Sequence, residues 1–194
     1  MFIKQADIEK TDAEYGPAKR VRFEPIRMQD FEFRMLTGSM KDGRHHDVTM
    51  FIERDGGYVG IQKPMYRDSG IFRAPSGGLN PGETLIEGLR REMLEETGLE
   101  VAVKKMLLII ETVFEGPDAG SEPWTSFVFC GCAEDGEMAP KDLEEISDIR
   151  IVTRGEMTGP MADKMLESGW GGFEYRAKLT METFKTIDEM MLVK

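Results

Sequence analysis

The chain has 194 residues, with 25 Lys or Arg against 36 Asp or Glu, and a formal net charge of −11. This length fits one domain with a small appendage, and a composition of 40% apolar and 31% charged residues excludes a disordered chain. The acidic balance excludes a duplex nucleic acid partner held mainly by charge, although a small phosphorylated ligand can bind when a divalent cation lies between the two anions.

The location of the chain is predicted from two negative observations and its cysteines. No apolar run approaches about 20 residues, and the first residues, MFIKQADIEK, lack the apolar region of a signal peptide. Cys130 and Cys132, two positions apart, are poorly placed to bridge each other. We therefore expect free thiols, no membrane partner and a cytoplasmic location.

The first elements in chain order are two predicted strands within residues 19–36. Their apolar residues alternate with polar ones: Val21 and Phe23 in the first strand, and Phe31, Phe33 and Met35 in the second. Pro25 falls between them, so the pattern predicts an N-terminal β-hairpin appendage within residues 1–44. Because an isolated hairpin is marginal in water, we expect this appendage to mediate a homodimer.

The main domain is predicted to cover residues 45–194 and to begin with a hairpin. Its strands are residues 48–54 and 58–64, and the turn Asp55-Gly56-Gly57 joins them. Residues 65–82 are rich in glycine and proline and predict a loop.

One helix is predicted with clear boundaries over residues 85–97. Thr84 is a good N-cap, and Glu87 three residues later completes a capping box. Gly98 and Leu99 are typical of the left-handed residue and the apolar contact that end a helix.

The remaining pattern predicts strands and helices in alternation. Strands are expected at residues 101–114, 124–132 and 149–153, and helices near 155–168 and 176–191. The fold class is therefore α+β or mixed α/β, with helices packed on a sheet.

Three carboxylates share one side of the predicted helix 85–97. At about 100° per residue, Glu92, Glu95 and Glu96 occupy an arc about 100° wide beside the apolar stripe of the helix. Like charges at these spacings repel by roughly 0.2–0.5 kcal/mol per pair. The arc is either a solvated surface or a site for a hard cation such as Mg²⁺, which prefers carboxylate oxygens.

The spacing around these acids resembles the Nudix box, G-x5-E-x7-R-E-U-x-E-E-x-G-U, in which U is aliphatic. Gly77, Glu83 and the run 91–99, REMLEETGL, fill every fixed glycine, glutamate and arginine position, and Met93 and Leu99 fill the apolar ones. The resemblance implies a Nudix-type mixed β-sheet sandwiched between helices, here with the N-terminal hairpin added. It further implies hydrolysis of a nucleoside diphosphate linked to another moiety.

The same resemblance implies roles for the residues of the box. Glu92, Glu95 and Glu96, with the backbone carbonyl near Gly77, would bind Mg²⁺, for which Mn²⁺ could substitute. The metal would neutralise the pyrophosphate and lower the pKa of a bound water. Arg91 would orient the glutamates, with Glu83 as its partner.

Residues outside the box carry the prediction of a substrate. Residues 116–122 resemble the Pro–Gly–Glu loop of ADP-ribose pyrophosphatases, although the proline falls two residues later than usual. Arg73 stands where many relatives carry Glu, which suggests contact with a phosphate or an acidic substituent. Phe114 is a candidate for stacking a base. Glu122 is the candidate general base, with Glu144 and Glu145 as rivals.

Three functions remain open at this point. The first is a Mg²⁺-dependent pyrophosphohydrolase acting on a nucleoside diphosphate sugar such as ADP-ribose. The second is a nucleoside triphosphate pyrophosphatase for modified nucleotides, and the third is a regulator that senses nucleotides without turnover. The filled box argues against the regulator, because a protein that only binds has no need for all four box glutamates.

Overall fold

The computed structural model describes residues 3–40, 43–133 and 135–192, in which one mixed sheet is flanked by helices. The strands are β1 Lys19–Arg22, β2 Ile26–Arg27, β3 His46–Arg54, β4 Gly57–Gln62, β5 Ser76–Gly77, β6 Val101–Glu115, β7 Ser121–Ala133 and β8 Asp148–Val152. The helices are α1 Gln5–Tyr15, α2 Asp30–Ser39, α3 Leu85–Thr97, α4 Arg154–Thr158, α5 Pro160–Glu167 and α6 Gly171–Leu192, and Pro64–Tyr66 form a 3₁₀ turn. The predicted fold class is confirmed.

The sheet has the order β1-β6-β7-β3-β4-β8, with β2 also paired to β6 and β5 paired to β3. The predicted hairpin is present, because β3 and β4 are antiparallel and the turn between them has Asp55 and Gly56 at φ values of 49° and 77°. Such a pair of left-handed residues suits the twist of a two-residue hairpin turn. The short strand β5 pairs antiparallel with β3 and brings Gly77 opposite Val48, so the box begins at the middle of the sheet.

The two faces of the sheet bury separate cores. Leu85, Leu89 and Met93 of α3 are fully buried against one face, where β3 and β7 contribute the alternating set from Val48 to Ile52 and from Phe127 to Phe129. Tyr175 and Phe184 of α6 are buried against the opposite face. Helix α1 lies on the α3 side, where the side chain of Asp7 accepts a hydrogen bond from the amide of Leu85 at 2.8 Å.

The predicted N-terminal hairpin is wrong. Strand β1 forms, but it pairs parallel with β6 in the main sheet, and residues 30–39 form helix α2 instead of a second strand. The alternation misled because Phe31 and Met35 are four residues apart, which places them on one face of a helix as well as of a strand. Gln29 and Glu32 form a capping box at the start of α2, and this local interaction favours a helix over the predicted strand.

The C-terminal helices differ from the prediction at their boundaries. The single helix expected near 155–168 is divided at Gly159, and Pro160 occupies the first turn of α5, where its missing N–H costs no hydrogen bond. Helix α6 begins at Gly171, five residues before the predicted start. Within the ranges described above, no helix is both long and apolar enough to cross a bilayer.

The capping box of α3 generates a first prediction. The Thr84 side chain accepts from the amide of Glu87 at 3.3 Å, and the Glu87 carboxylate accepts from the Thr84 amide at 2.9 Å. Thr84→Ala should lower the free energy of unfolding by about 1 kcal/mol, measured by urea denaturation, because a helix amide loses its partner. Thr84→Ser keeps the hydroxyl and should match the wild type; equal losses in both variants would contradict a capping role.

Candidate active site

Helix α3 holds the box residues in place through its buried face. With Leu89 and Met93 fixed against the sheet, Glu92, Glu95 and Glu96 lie at the edge of the helix that faces the loop before it. Burial differs sharply among the three. The Glu96 residue is 2% exposed, whereas the Glu92 and Glu95 side chains are 13% and 47% exposed.

Arg91 is the residue that connects the box. Its guanidinium donates to both oxygens of Glu83, at 2.7 and 2.9 Å, and to the backbone carbonyl of Gly78 at 2.8 Å. Its Nη1 also donates to Glu92 Oε1 and Glu95 Oε2, each at 2.9 Å. The predicted pair with Glu83 is therefore present, and Arg91 fixes the loop and two box acids together.

The pKa values of this pair show how strongly Arg91 is held. The hydrogen bond with Arg91 lowers the pKa of Glu83 to about 2, and the same bond raises the pKa of Arg91 above its ordinary value. Glu83 also accepts a hydrogen bond from the amide of Asn80 at 2.7 Å. Its carboxylate therefore connects the loop before α3 to Arg91 on the helix. Both groups are ionised near neutral pH.

The glycine at position 77 makes room for Glu92. A Cβ atom at this position would lie 1.9 Å from Glu92 Oε2, so only glycine allows the carboxylate to approach the backbone this closely. Burial raises the pKa of Glu92 to about 7, although Arg91 opposes the shift.

Glu96 is held beneath the same loop. Its Oε2 accepts from the amide of Ser76 at 2.7 Å, and burial raises the pKa of the carboxyl group. Lys63 Nζ lies 3.3 Å from Glu96 Oε1, yet within the described residues this oxygen receives no hydrogen bond. Lys63 also pairs with Glu145, one of the rival candidates for the general base.

Arg73 is buried, and its described hydrogen bonds are to protein groups. Its guanidinium donates to Tyr66 Oη at 3.1 Å, to the carbonyl of Ala74 at 3.0 Å and to Ser76 Oγ at 2.7 Å. Arg73 therefore holds the residue whose amide binds Glu96. The predicted contact with substrate remains untested, but Arg73 is 8% exposed and its described position is structural.

Two other predicted site residues lie apart from the box. Phe114 is 2% exposed and packs against Trp124 and Tyr175 in the core, and its role in stacking a base stays a prediction. Glu122 lies on β7 with its Oε2 3.5 Å from His45 Nδ1, and none of its described contacts is with the box.

No pattern in the sequence indicated that Lys63 and Ser76 belong to the site. Lys63 follows the last residue of β4, and Ser76 belongs to a two-residue strand within the predicted loop 65–82. The polarity of the two residues is ordinary for such positions. The antiparallel pairing of β5 with β3 places Ser76 beside Glu96, and no local pattern encodes that pairing.

The donor set fits a hard divalent cation in its chemistry. Glu92, Glu95 and Glu96 supply carboxylate oxygens, and Glu96 Oε1 is a buried acceptor without a hydrogen bond, which is the observation that supports the fit. In the described part of the chain, however, no three His, Cys, Asp or Glu side chains converge closely enough to hold an ion. Arg91 Nη1 lies between Glu92 and Glu95 and accounts for their separation.

The raised pKa of Glu92 generates a prediction about stability without metal. Between pH 4.5 and about 7 the folded chain keeps a proton on Glu92 that the unfolded chain has released, so the free energy of unfolding falls as pH rises through this window. Glu92→Gln cannot ionise and should lack this fall. In EDTA, its stability relative to the wild type should rise by up to about 3 kcal/mol between pH 5 and pH 8, measured by urea denaturation.

Glu95→Gln is the matched control, because the Glu95 side chain is half exposed and its replacement should leave the pH dependence unchanged. The assignment of the pKa would be wrong if wild type and Glu92→Gln lost stability equally over this range.

Comparisons with known proteins identify the family of this chain. A model of the NUDIX domain matches residues 43–169. The human protein "8-oxo-dGDP phosphatase NUDT18" is 32% identical over 82 residues, which cover 42% of this chain but only 23% of that protein. The chain thus matches about a quarter of the length of this relative.

Two solved structures are among those similar to this chain, and the first of them shares its fold. A NUDIX hydrolase from Nitrosomonas europaea is similar with a TM-score of 0.51 and 20% identity, over 75% of this chain and 89% of that one. The MutT NUDIX hydrolase from Burkholderia pseudomallei is similar with a TM-score of 0.47 and 20% identity, over 57% and 83% of the two chains. Because the domain model matches more than half of the sequence and includes the whole box, the chain belongs to the NUDIX family.

Proposed function

We propose that this protein is a divalent-cation-dependent pyrophosphohydrolase that cleaves a nucleoside diphosphate linked to another moiety. One observation supports this most directly. A buried glutamate, Glu96, presents an oxygen without a hydrogen bond beside two further box acids. Burying a carboxylate is costly for a fold unless a positive charge compensates. The ammonium group of Lys63, 3.3 Å from this oxygen, supplies part of that charge, and a divalent cation would supply more.

Each residue of the site has a separate role in the proposed reaction. Glu92, Glu95 and Glu96 would hold Mg²⁺ or Mn²⁺, which would neutralise phosphate charge and make a coordinated water more acidic. Arg91 keeps Glu92 and Glu95 oriented through the hydrogen bonds described above. Glu145 lies beside Lys63, which contacts Glu96, so we propose Glu145 ahead of Glu122 as the group that accepts a proton from water.

Two candidate substrate classes are proposed. A nucleoside diphosphate sugar such as ADP-ribose is the first candidate, on the strength of the loop 116–122. A modified nucleotide is the second candidate, favoured by the name of the human relative. The products separate them: AMP with a sugar phosphate identifies the first, and a nucleoside monophosphate with pyrophosphate or phosphate identifies the second. A sensor without turnover would release no product.

The assembly and location of the protein are further proposals. A homodimer is proposed from the N-terminal segment, in which Phe31 is exposed on α2. Light scattering of the full chain tests it. The cytoplasmic location is proposed from the free thiols Cys130 and Cys132.

The proposed chemistry predicts the effect of removing one box acid. Glu96→Gln should keep the acceptor for the Ser76 amide, and hence the fold, but lower kcat by at least about 100-fold because a charged oxygen is lost. Formation of nucleoside monophosphate from a panel of nucleotides and nucleotide sugars with Mg²⁺, separated by chromatography, measures this. Glu145→Gln should lower kcat and Glu122→Gln should not; the reverse result would restore Glu122 as the base, and a fully active Glu96→Gln would refute the site.

Cation binding should also be visible without any substrate. Mg²⁺ that binds only the folded chain should add about 1.4 kcal/mol at ten times Kd, a rise in melting temperature of roughly 3–6 °C. Replacement of Glu92 and Glu96 together by Gln should abolish most of this rise. Sodium chloride at matched ionic strength is the control for screening. An equal rise in the wild type and the double variant would show that Mg²⁺ binds elsewhere on the acidic surface.

A further inference from the structure

A cleft of about 200 Å³ lies between α2, the 3₁₀ turn at Pro64–Tyr66 and the start of α6. We call it the α2–α6 cleft. Lys63 and Arg73 line it, and these residues contact Glu96 and Ser76 at the candidate active site. Through these two side chains the cleft borders the site where the phosphates would lie. Its volume is below the range of about 300–1,000 Å³ for whole ligands, so it has room for one moiety of a nucleotide.

Most of the residues that line the cleft lie outside the NUDIX match. Helix α2 lies before residue 43, and Trp170, Phe173 and Arg176 lie after residue 169, whereas four of the lining residues lie within the match. The segments that flank the matched domain therefore supply most of the wall, and the matched domain supplies the box acids.

Glu32 joins the two flanking segments. Its Oε2 accepts from the amides of Gln29 and Gly171, each at 3.0 Å, and its Oε1 accepts from the amide of Gly172 at 2.8 Å. One carboxylate thus caps the first turn of α2 and the first turn of α6 together. A Cβ at Gly171 would lie 2.1 Å from the carbonyl oxygen of Arg27, so glycine is required for this close approach. The position of α2 is fixed by these bonds.

Three cationic side chains, Lys63, Arg73 and Arg176, line the cleft, and Glu32 is the acid among its lining residues. Acids outside the lining hold two of these cations in place: Lys63 pairs with Glu96 and Glu145, and Arg176 donates to the buried Asp47 at 2.7 Å. Guanidinium and ammonium groups are strong hydrogen-bond donors to phosphate oxygens, so the cleft offers fixed donors to a phosphorylated ligand although its charges are balanced by acids.

The outer part of the cleft is apolar and aromatic. Trp170 and Phe173 are stacked with ring centroids 5.0 Å apart and planes 9° apart. Met35 and Met65 are 53% and 45% exposed at the rim, and the polarisable thioether of Met favours contact with flat rings. A nucleobase matches this surface, whereas a sugar, with a hydroxyl on nearly every carbon, would leave its hydrogen bonds unmade.

We propose that the α2–α6 cleft binds the nucleobase of the substrate beside Trp170, and that α2, held by Glu32, is the element that determines base specificity. This inference rests on the proposed function, which supplies the phosphates next to Glu96. The base lies between the Met residues of the rim and the aromatic wall. Lys63 and Arg176 face the phosphates.

Tryptophan fluorescence tests binding separately from hydrolysis, because the chain has only two tryptophans, Trp124 and Trp170. With Mg²⁺ present, at least one of AMP, GMP, CMP and UMP should quench the emission. The quenching should persist in Trp124→Phe and disappear in Trp170→Phe. Ribose 5-phosphate, which has no base, should neither quench nor compete. Absence of quenching by all four nucleotides, or equal competition by ribose 5-phosphate, would overturn the proposal.

A matched pair of surface variants tests the role of α2 in the same assay. Met35→Glu places a negative charge at the rim and should weaken nucleotide binding about tenfold or more. Met181→Glu makes the same change at a similarly exposed methionine on α6 that does not line the cleft, and should have no effect. Glu32→Gln should also raise KM about tenfold with kcat little changed, whereas Asp30→Asn on the same helix should not. Equal effects of the two methionine variants would overturn the proposal.

The outcomes separate this inference from the proposed function. Nucleotides that quench Trp170 without being hydrolysed would refute the proposed function and leave the cleft as a base site. Hydrolysis that is lost in Glu96→Gln but unaffected by Met35→Glu would refute the cleft alone. Light scattering completes the test: if Met35→Glu converts a dimer to a monomer with unchanged nucleotide binding, this face is an interface between copies and the proposal is wrong.

Discussion

The burial of two glutamates beside the loop before α3 is the constraint on which the rest of the site depends. A buried carboxylate loses several kcal/mol of hydration free energy unless charged or hydrogen-bonding partners replace water. For Glu96 the partners are the Ser76 amide and the ammonium group of Lys63, and for Glu92 the partner is Arg91. Strand β5, the end of β4 and the glycine at position 77 can be understood as the means of bringing these groups together.

A buried carboxylate also organises the segments that flank the NUDIX match. Glu32 is also buried, and backbone amides at the starts of two helices take up its hydrogen-bonding capacity. Lys63 and Arg176 line the α2–α6 cleft, where Glu145 and Asp47 hold them in place. The aromatic cleft and the acidic site beside it together match the proposed ligand, which has a flat base and a pyrophosphate.

The sequence by itself determined the parts of this protein that depend on local chemistry. The Thr84 capping box, the left-handed Gly98 and the buried stripe through Leu89 define α3, and each is an interaction between near neighbours. The hairpin turn at Asp55 was predicted for the same reason. The resemblance of the box to the Nudix pattern implied the acids and the partner of Arg91. Seven residues lie between Glu83 and Arg91, and six of them belong to α3, so this pair is also nearly local.

Only the tertiary structure decided which residues meet across long stretches of chain. Helix α6 begins at Gly171, a poor helix former, because Glu32 of a distant helix caps it. The Glu122 position was plausible from its loop, yet Glu145 is the acid that reaches Lys63, since that contact joins residues 82 apart. Phe114 is apolar and aromatic in sequence, and only packing shows that it is core. Local patterns encode capping, turns and periodicity, whereas strand pairing and the sharing of one carboxylate between helices depend on the whole fold.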